Sequence, residues 1–169
     1  MTSTVFVNGV TLTDDDWFND VNRLHYTIFA DPADVATARR TLLAGMDKIT
    51  NSLGADVSLN NTANFFDGPS VAQGTTGTWF VSGTITLVDT AGVAAFNAKL
   101  WDGTTVIASA RSQSSAAGGP IAVSLSGYIT NPAANIRISA RDITSTSGKI
   151  VFNDTGNSAD STISAVRIG

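Results

Sequence analysis

The spacing of apolar residues changes near Val57, and no other property of this sequence limits its possible folds as strongly. Before that point apolar side chains recur every three or four residues, as along one face of an α-helix, whereas after it they alternate with polar residues. Strict alternation places one set of side chains on each face of a β-strand. The sequence therefore predicts an N-terminal segment over residues 1–54 that is mainly helical, followed by a β-domain over residues 55–169.

Short strands separated by turn residues dominate the predicted β-domain. Trp79, Val81, Ile85 and Leu87 mark the apolar face of one strand, and similar alternating runs follow as far as Ile168. Asp102-Gly103 is typical of a hairpin turn, and turn clusters recur about every ten to fifteen residues. This pattern indicates a mainly β fold, an antiparallel, jelly-roll-like sandwich.

The first dozen residues predict a small hairpin. Val5, Phe6 and Val7 lead into Asn8-Gly9, and Val10 to Leu12 follow. Asn-Gly between β-forming residues favours a type I′ turn, in which both central residues take a positive φ. Because an isolated hairpin is marginally stable in water, we expect this one to pack on another surface.

Two amphipathic helices are predicted after the hairpin. Thr13 is a candidate N-cap, and Asp31-Pro32 ends the first helix and begins the second, which Gly54 closes unless Gly45 ends it earlier. The first helix has the four-three-four spacing of a heptad seam. The apolar positions of the two helices are Trp17, Val21, Leu24 and Ile28, then Val35, Ala38, Leu42, Ile49 and Leu53.

These apolar stripes need a partner surface. The heptad spacing favours sister copies of the same chain, which makes the helices an oligomerisation stem. The alternative is that the helices lie across the sandwich of their own chain. The low charge of the chain, 14% of residues, is compatible with a surface that is partly covered in an assembly.

Composition excludes several kinds of chemistry. The chain has no cysteine, which excludes disulfides and cysteine-ligated zinc, and its single histidine, His25, is interpreted as a contact beside the helical seam. The net charge of −4 argues against nucleic-acid binding. No apolar run reaches the length of a membrane span, and the N-terminus lacks the pattern of a signal peptide. No cofactor is indicated.

Carboxylates of the β-domain are the remaining candidates for catalysis or metal binding. A pair of them could serve a glycosidase, but each lies beside turn-forming residues, so we interpret them as solvated loop positions and predict no enzyme. The segment Asn153 to Asp160 offers oxygen ligands but lacks the calcium-loop pattern, so no metal site is predicted. The candidates are Asp67, Asp89, Asp102, Asp142, Asp154 and Asp160.

Trp101 and Tyr128 are candidate glycan contacts, because both fall opposite the apolar set of their strands. A second layer of the sandwich or a contact between subunits would explain these positions equally well. Arg137 and Arg141 also alternate with apolar residues, so we expect them on an outer face, where they serve either pairing between subunits or an ordinary charged surface.

Two stretches resemble bacteriophage proteins. FVNGVTLTDDDWFNDVNRLHYTIFADPA is similar to the leading segment of tail-fibre and tailspike proteins, and the strands from GTWFVSGTITLVD to STISAVRIG resemble β-sandwich heads of phage fibres and appendages. The first likeness rests on Asn8, Gly9, Leu12, Thr13, Asp16, Trp17, Asn19, Asp20, Val21 and Asn22.

The resemblance implies a homotrimer in a virion that is assembled in the bacterial cytoplasm. It implies a three-stranded helical stem, a knob of β-domains, and an N-terminal segment that docks onto tail, neck or capsid proteins through Val5, Phe6, Asn8, Gly9 and Leu12. Because the chain continues into no long shaft, a short fibre, an adaptor or a capsid decoration protein is expected. Assembly is the leading function, and recognition of a host-surface carbohydrate is the alternative.

Overall fold

The structure of the chain is a computed structural model that describes residues 5–7, 10–12 and 47–169. Within these ranges the chain forms strands and no helix. The described residues therefore contain no helix that is long and apolar enough to cross a membrane. The strands are β1 (Val5–Val7), β2 (Val10–Leu12), β3 (Lys48–Ser52), β4 (Val57–Leu59), β5 (Phe66–Val71), β6 (Thr78–Asp89), β7 (Ala95–Trp101), β8 (Val106–Gln113), β9 (Ile121–Thr130), β10 (Ile136–Asp142), β11 (Gly148–Val151) and β12 (Thr162–Arg167).

The chain divides into two units, Met1–Met46 and Asp47–Gly169, and each is described by itself. In the first, β1 and β2 pair antiparallel with Val7 opposite Val10, so the predicted hairpin is confirmed. The docking role of Val5, Phe6 and Leu12 stays a prediction. The remaining predictions for this unit lie outside the described residues: Asn8, Gly9, both helices up to residue 46, and the stem positions Trp17, Val21, Leu24, Ile28, Val35 and Leu42.

The second unit, here called the β-domain, contains two antiparallel sheets. One has the order β5-β10-β7-β8. The other has the order β3-β12-β6-β11-β4, with β9 paired to β6. β9 follows β6 from Thr78 to Leu87, whereas β12 and β11 share the other edge of β6. The predicted antiparallel sandwich is therefore confirmed.

The core of the β-domain is formed by the inward-facing residues of both sheets. Alternate residues of β6 are fully buried, as are alternate residues of β7 and β10, and together they form one apolar cluster. Burying such side chains contributes about 1.5–3 kcal/mol each relative to leaving them exposed. The largest buried side chains include Trp79, Ile85, Leu87, Phe96, Leu100, Ile136, Ile138, Ile150 and Ile163.

The second predicted helix is wrong over its last turns. Lys48–Ser52 form strand β3, in which Ile49 lies opposite Ala165 of β12 and packs, half-buried, against the core of its own chain. The spacing of Ile49 and Leu53 looks helical, but the β-branched Ile49 and Thr50 favour a strand, and the edge of β12 supplies backbone partners. Ile49 is therefore a sandwich residue and not part of a helical stem, and the sheets begin before residue 55.

Candidate functional site

The outer face of the four-stranded sheet carries an unusual set of side chains. The residues that alternate with the core positions of β10 and β7 are cationic, aromatic or polar, and polar residues continue on β8 and β5. We call this surface the cation–aromatic face. It comprises Phe65, Asp67, Asn97, Lys99, Trp101, Ser109, Arg111, Arg137, Ser139 and Arg141.

The register of the sheet brings these residues together in rows. One row crosses all four strands, with Asp67 opposite Ser139, Ser139 opposite Lys99, and Lys99 opposite Ser109. In the next row Asn97 lies between Arg141 on one side and Arg111 on the other. Strand pairing therefore assembles the face from segments that are far apart in the sequence.

A chain of hydrogen bonds fixes the Trp101 ring on this face. The indole Nε1–H donates to Ser139 Oγ at 2.6 Å, and the Ser139 hydroxyl donates to Asp67 Oδ1, also at 2.6 Å. Arg137 Nε lies 3.0 Å from the other carboxylate oxygen of Asp67, which is an ion-pair distance. The two groups are not aligned as a hydrogen bond requires. Asp67 is therefore occupied by two neighbours, and it neutralises Arg137.

Cations cover the aromatic rings. Lys99 Nζ lies 3.2 Å from the centroid of the Trp101 ring and 4.4 Å from that of Phe65. The guanidinium carbon of Arg137 lies 4.8 Å from the Trp101 centroid, and that of Arg141 lies 4.9 Å from the Phe65 centroid. All four distances are within the range of cation–π attraction. The rings therefore hold cations in place and are not bare platforms.

Most cations on this face lack an acidic partner. Residues 47–169 contain seven basic side chains, and three of these form ion pairs: Arg137 with Asp67, Lys149 with Asp56, and Arg167 with Asp47. The other four, among the residues that the structure describes, have no carboxylate at ion-pair distance; they are Lys48, Lys99, Arg111 and Arg141. Three of these four surround Asn97, which concentrates positive charge there.

An open cleft of about 460 Å³ lies at this concentration of charge. Its lining includes the polar groups of Asn97, Lys99, Ser109 and Arg111, together with apolar surface of Phe65. The volume is within the range of about 300–1,000 Å³ that is usual for small-molecule sites. The cleft is therefore of a size that can accept a small ligand.

The pKa of Lys99 is shifted by its surroundings in the cleft. Partial burial lowers the pKa of its ammonium below the ordinary value, and the positive charges of Arg137 and Arg141 lower it further. Asp67 acts in the opposite direction, but its effect is smaller than that of burial. An anion that entered the cleft would offset the cost of keeping this ammonium charged.

Tyr128, the other predicted glycan contact, belongs to a different sheet from Trp101. It projects from β9 on the outer face of the six-stranded sheet, where it is 67% exposed and its ring lies 5.0 Å from that of Phe80. The two candidate contacts therefore lie on different sheets and do not form one site.

The surface around Tyr128 is rich in hydroxyl groups and lacks charge. We call it the hydroxyl face. Across its central strands β12, β6 and β9, the described outward positions carry Ser, Thr, Val, Phe, Ala and Tyr but no ionised side chain. Its hydroxyls also bond across the strands, as in Ser52 to Thr162 at 3.1 Å and Thr84 with Ser124 at 2.8 Å.

The interpretation of the aspartates as solvated loop residues is wrong for three of them. Asp89, Asp102 and Asp142 are buried, with at most 2% of their surface exposed. Each accepts hydrogen bonds from backbone N–H groups of neighbouring turns, which stabilise a carboxylate away from water. Asp89 and Asp142 adjoin each other, but no substrate can reach a pair so completely covered.

The loop from Asn153 to Asp160 uses its oxygen atoms internally. Asp160 accepts hydrogen bonds from the amide and the hydroxyl of Thr155, and Asn153 Oδ1 accepts one from the Ser158 amide. Within residues 47–169 no group of three or more histidine or carboxylate side chains is placed to hold a metal ion. An Asx-rich turn accounts for this sequence.

Comparisons with known proteins give only remote likenesses. No family model and no curated protein matches the chain. Among solved structures, the Eiger TNF from S. frugiperda is similar with a TM-score of 0.47 and 11% identity, over 73% of this chain and 93% of that one. The C-terminal CBM6 of LamC from Zobellia galactanivorans has a TM-score of 0.29 and 11% identity, over 73% of this chain and 100% of that one. Neither likeness identifies a ligand for this chain.

The sequence indicates part of the cation–aromatic face and misses the rest. Alternation assigns Trp101, Arg137 and Arg141 to outer faces, which the structure confirms. The cleft residues Phe65 and Lys99 are not singled out by any sequence motif. Counting the charged residues at the outward positions of each strand would have identified β7 and β10 as the cationic strands. It would not have shown that these two strands are neighbours in the sheet.

Proposed function

We propose that this chain is a non-enzymatic bacteriophage virion protein whose β-domain binds a glycan of the host surface through the cation–aromatic face. The likeness of the N-terminal segment to tail-fibre proteins supports the virion assignment. The observation that carries the binding proposal is the cleft around Asn97, which Lys99 and Arg111 line and beside which Arg141 and Lys99 lie over the Phe65 ring, all three without acidic partners. Because these groups project from paired strands, their positions are well defined before a ligand arrives.

Binding fits this face better than catalysis does. A glycosidase needs two carboxyl groups on either side of the scissile bond. The carboxylate on the cation–aromatic face, Asp67, is already occupied by Ser139 and Arg137. A face that offers donors and fixed rings can hold a saccharide without altering it.

A glycan array probed with the full chain tests this proposal. We expect binding to bacterial surface glycans that Trp101→Ala abolishes, because the substitution releases Lys99 and Ser139 from their positions. Tyr128→Ala is the matched aromatic control on the other sheet and should bind like the wild type. Arg111→Gln, at an exposed position outside the core, tests the same face if Trp101→Ala does not fold. Absence of any glycan binding, or equal loss in both aromatic variants, would exclude the cation–aromatic face as a glycan site.

Self-assembly is the second candidate function, and the hydroxyl face is the observation that favours it. Two copies of a chain with a net charge of −4 carry the same sign of charge, and a contact through uncharged surfaces sets no ionised side chains of like sign against each other. The hydroxyl face is such a surface, and Phe80, Tyr128 and Val166 form an apolar row across it. We propose a second copy of the same chain as its occupant, in a short fibre, adaptor or decoration protein that docks to other virion proteins.

Light scattering after size-exclusion chromatography tests assembly. A mass of three chains at micromolar concentration is expected. A stable monomer under the same conditions would remove the assembly proposal.

A further inference from the structure

The geometry points to an acidic saccharide as the ligand of the cation–aromatic face, with its anionic group held among Lys99, Arg111 and Arg141. This inference rests on the proposed glycan-binding function and names the class of sugar. It follows from the distribution of charge on the face and from the cations that already cover its aromatic rings.

The register of the sheet places the three cationic residues around Asn97. Arg111 and Arg141 lie directly opposite Asn97, one on each neighbouring strand, so their Cα atoms are separated by two strand spacings, or about 10 Å. Lys99 follows two residues along β7, about 7 Å from Asn97. In the structure Lys99 Nζ lies over the Trp101 and Phe65 rings, and Arg141 donates to the Ala63 carbonyl oxygen. Both side chains are long enough that a change of rotamer would bring them to a small anion above Asn97. A carboxylate there would receive charge-assisted hydrogen bonds, which are about twice as strong as neutral ones.

The rings argue against a neutral sugar as the main ligand. A neutral sugar commonly binds by laying its apolar C–H face on an exposed aromatic ring. Here Lys99 lies over both Trp101 and Phe65, and the indole N–H of Trp101 is already bonded to Ser139. What the face presents outward is therefore positive charge, with Asn97 and Ser109 as further polar groups in the cleft.

A saccharide fits this charge better than a nucleic acid does. Binding a phosphate backbone depends on neutralising many phosphates along a track of cations. The patch offers three unneutralised cations on a chain whose net charge is −4, so a long polyanion would meet repulsion beyond the patch. A short acidic sugar places one or two negative charges where the cations are and leaves the acidic remainder of the protein uncontacted.

Isothermal titration of the full chain with defined oligosaccharides tests the inference. The carboxylate probes are oligogalacturonate, oligomannuronate and a sialic acid oligomer. The methyl ester of the same oligogalacturonate is a control that keeps the sugar and removes the charge. A sulfated oligosaccharide of the same length serves as a second anionic arm, and single-stranded DNA of similar charge serves as the rival polyanion.

We expect at least one carboxylate probe or the sulfated probe to bind, and the methyl ester to bind at least tenfold more weakly. Arg111→Gln should weaken binding of the acidic probe about tenfold or more, because it removes a charged donor. Lys48→Gln removes an unpaired cation from the edge of the other sheet and should leave the affinity unchanged. Preference for the sulfated probe would assign a sulfate or phosphate ester as the anion, and preference for a carboxylate probe would assign a uronic or sialic acid.

Three results would overturn the inference. The first is equal affinity for oligogalacturonate and its methyl ester. The second is an equal change in affinity for the acidic probe in Arg111→Gln and Lys48→Gln, and the third is tighter binding of DNA than of any saccharide. The glycan array separates this failure from that of the proposed function. Neutral glycans that bind the wild type and not Trp101→Ala would leave glycan recognition standing while refuting the acidic class, whereas an array without hits refutes both.

Discussion

The carboxyl groups of Asp89 and Asp142 form a buried pair at one end of the β-domain. Burial raises the pKa of Asp142 above its ordinary value, and the adjacent charge of Asp89 adds to this, although amides of Thr144 and Ser145 oppose it. Burial also acts to raise the pKa of Asp89, but hydrogen bonds from Ser145, Ala91 and Asp142 outweigh it and hold that pKa below the ordinary value. Burial and the neighbouring charge therefore favour the neutral form of Asp142, whereas the hydrogen bonds to Asp89 favour the ionised form of that carboxyl.

Asp142→Asn should stabilise the protein increasingly as the pH rises. Between the ordinary aspartate pKa, about 3.9, and the raised pKa of Asp142, the folded state binds more protons than the unfolded one, so wild-type stability falls with rising pH. An asparagine amide carries no titrating proton, so Asp142→Asn avoids this loss, and its advantage over the wild type grows as the pH rises towards the raised pKa. Urea unfolding over a pH series measures it.

Asp154→Asn is the control for this prediction, because Asp154 lies exposed in the loop before β12. The two variants should differ from each other more at neutral than at acidic pH. A free energy of unfolding for Asp142→Asn that parallels the wild type at every pH would contradict the raised pKa of Asp142.

The contribution of Asp102 to stability depends on pH in the opposite direction. Burial acts to raise its pKa, but hydrogen bonds from the amides of Ala133, Thr105 and Thr104 together hold the pKa below the ordinary value. Its contribution to stability is thus present at neutral pH and is lost as the pH falls through the lowered pKa. Asp102→Ala should reduce the free energy of unfolding at pH 7 by about 3 kcal/mol, because it leaves these amides without an acceptor.

Thermal and urea unfolding at pH 7 and at pH 3 check the Asp102 prediction. Thr104→Ala changes an exposed side chain in the same turn and should alter stability little. If Asp102→Ala cost the same at both pH values, the ionised carboxylate would not be what joins the two turns.

Among the strands, β6 organises the β-domain, because it pairs with β9, β11 and β12. Gly83 lies at the middle of this strand, where a Cβ atom would stand 2.6 Å from the Thr162 carbonyl oxygen and 2.7 Å from Ile138 Cδ1. Gly83→Ala should therefore force β6 away from its neighbours and lower the free energy of unfolding by about 1–3 kcal/mol.

Urea unfolding compares Gly83→Ala with Gly92→Ala. Gly92 lies in the loop after β6, and apart from its chain neighbours no atom lies within 4 Å of the point that a Cβ atom would occupy. Its replacement should therefore change stability by roughly a few tenths of a kcal/mol at most. Equal effects of the two substitutions would show that close packing at the centre of β6 is not limiting.

The strands also show what local sequence could predict. Alternation placed the inward and outward residues of β6, β7 and β10 correctly, because the period of a strand is a local property. It failed for β3, whose strand conformation depends on the edge of a distant strand, β12. The interpretation of Asp102 as a solvated loop residue was also wrong, because the Ala133 amide that binds its carboxylate comes from another turn, distant in the sequence. The cleft could not be predicted from local sequence either, because only the order of the strands in the sheet brings Arg141 and Arg111 beside Asn97.

The two outer faces of the β-domain differ in charge, and this difference bears on how whole molecules would meet. The cation–aromatic face gathers most of the cations without acidic partners, whereas the hydroxyl face has none over its central strands among the described residues. A fibre head needs one surface that meets its sister copies and another that remains open to a ligand. The uncharged face suits the first role and the cationic face the second.

Assembly should therefore depend on two separate surfaces, the predicted heptad seam and the hydroxyl face. Leu24→Asp places a charge in the seam, and Tyr128→Asp places one in the apolar row with Phe80 and Val166. Because a buried charge without a partner is costly, each substitution should raise the concentration at which the oligomer dissociates, as measured by light scattering across a dilution series. Arg111→Gln changes an exposed cation on the other sheet; it is the control and should assemble normally. If Tyr128→Asp assembles like the wild type, the hydroxyl face lies outside the interface; if Leu24→Asp does, the seam makes no contact between copies.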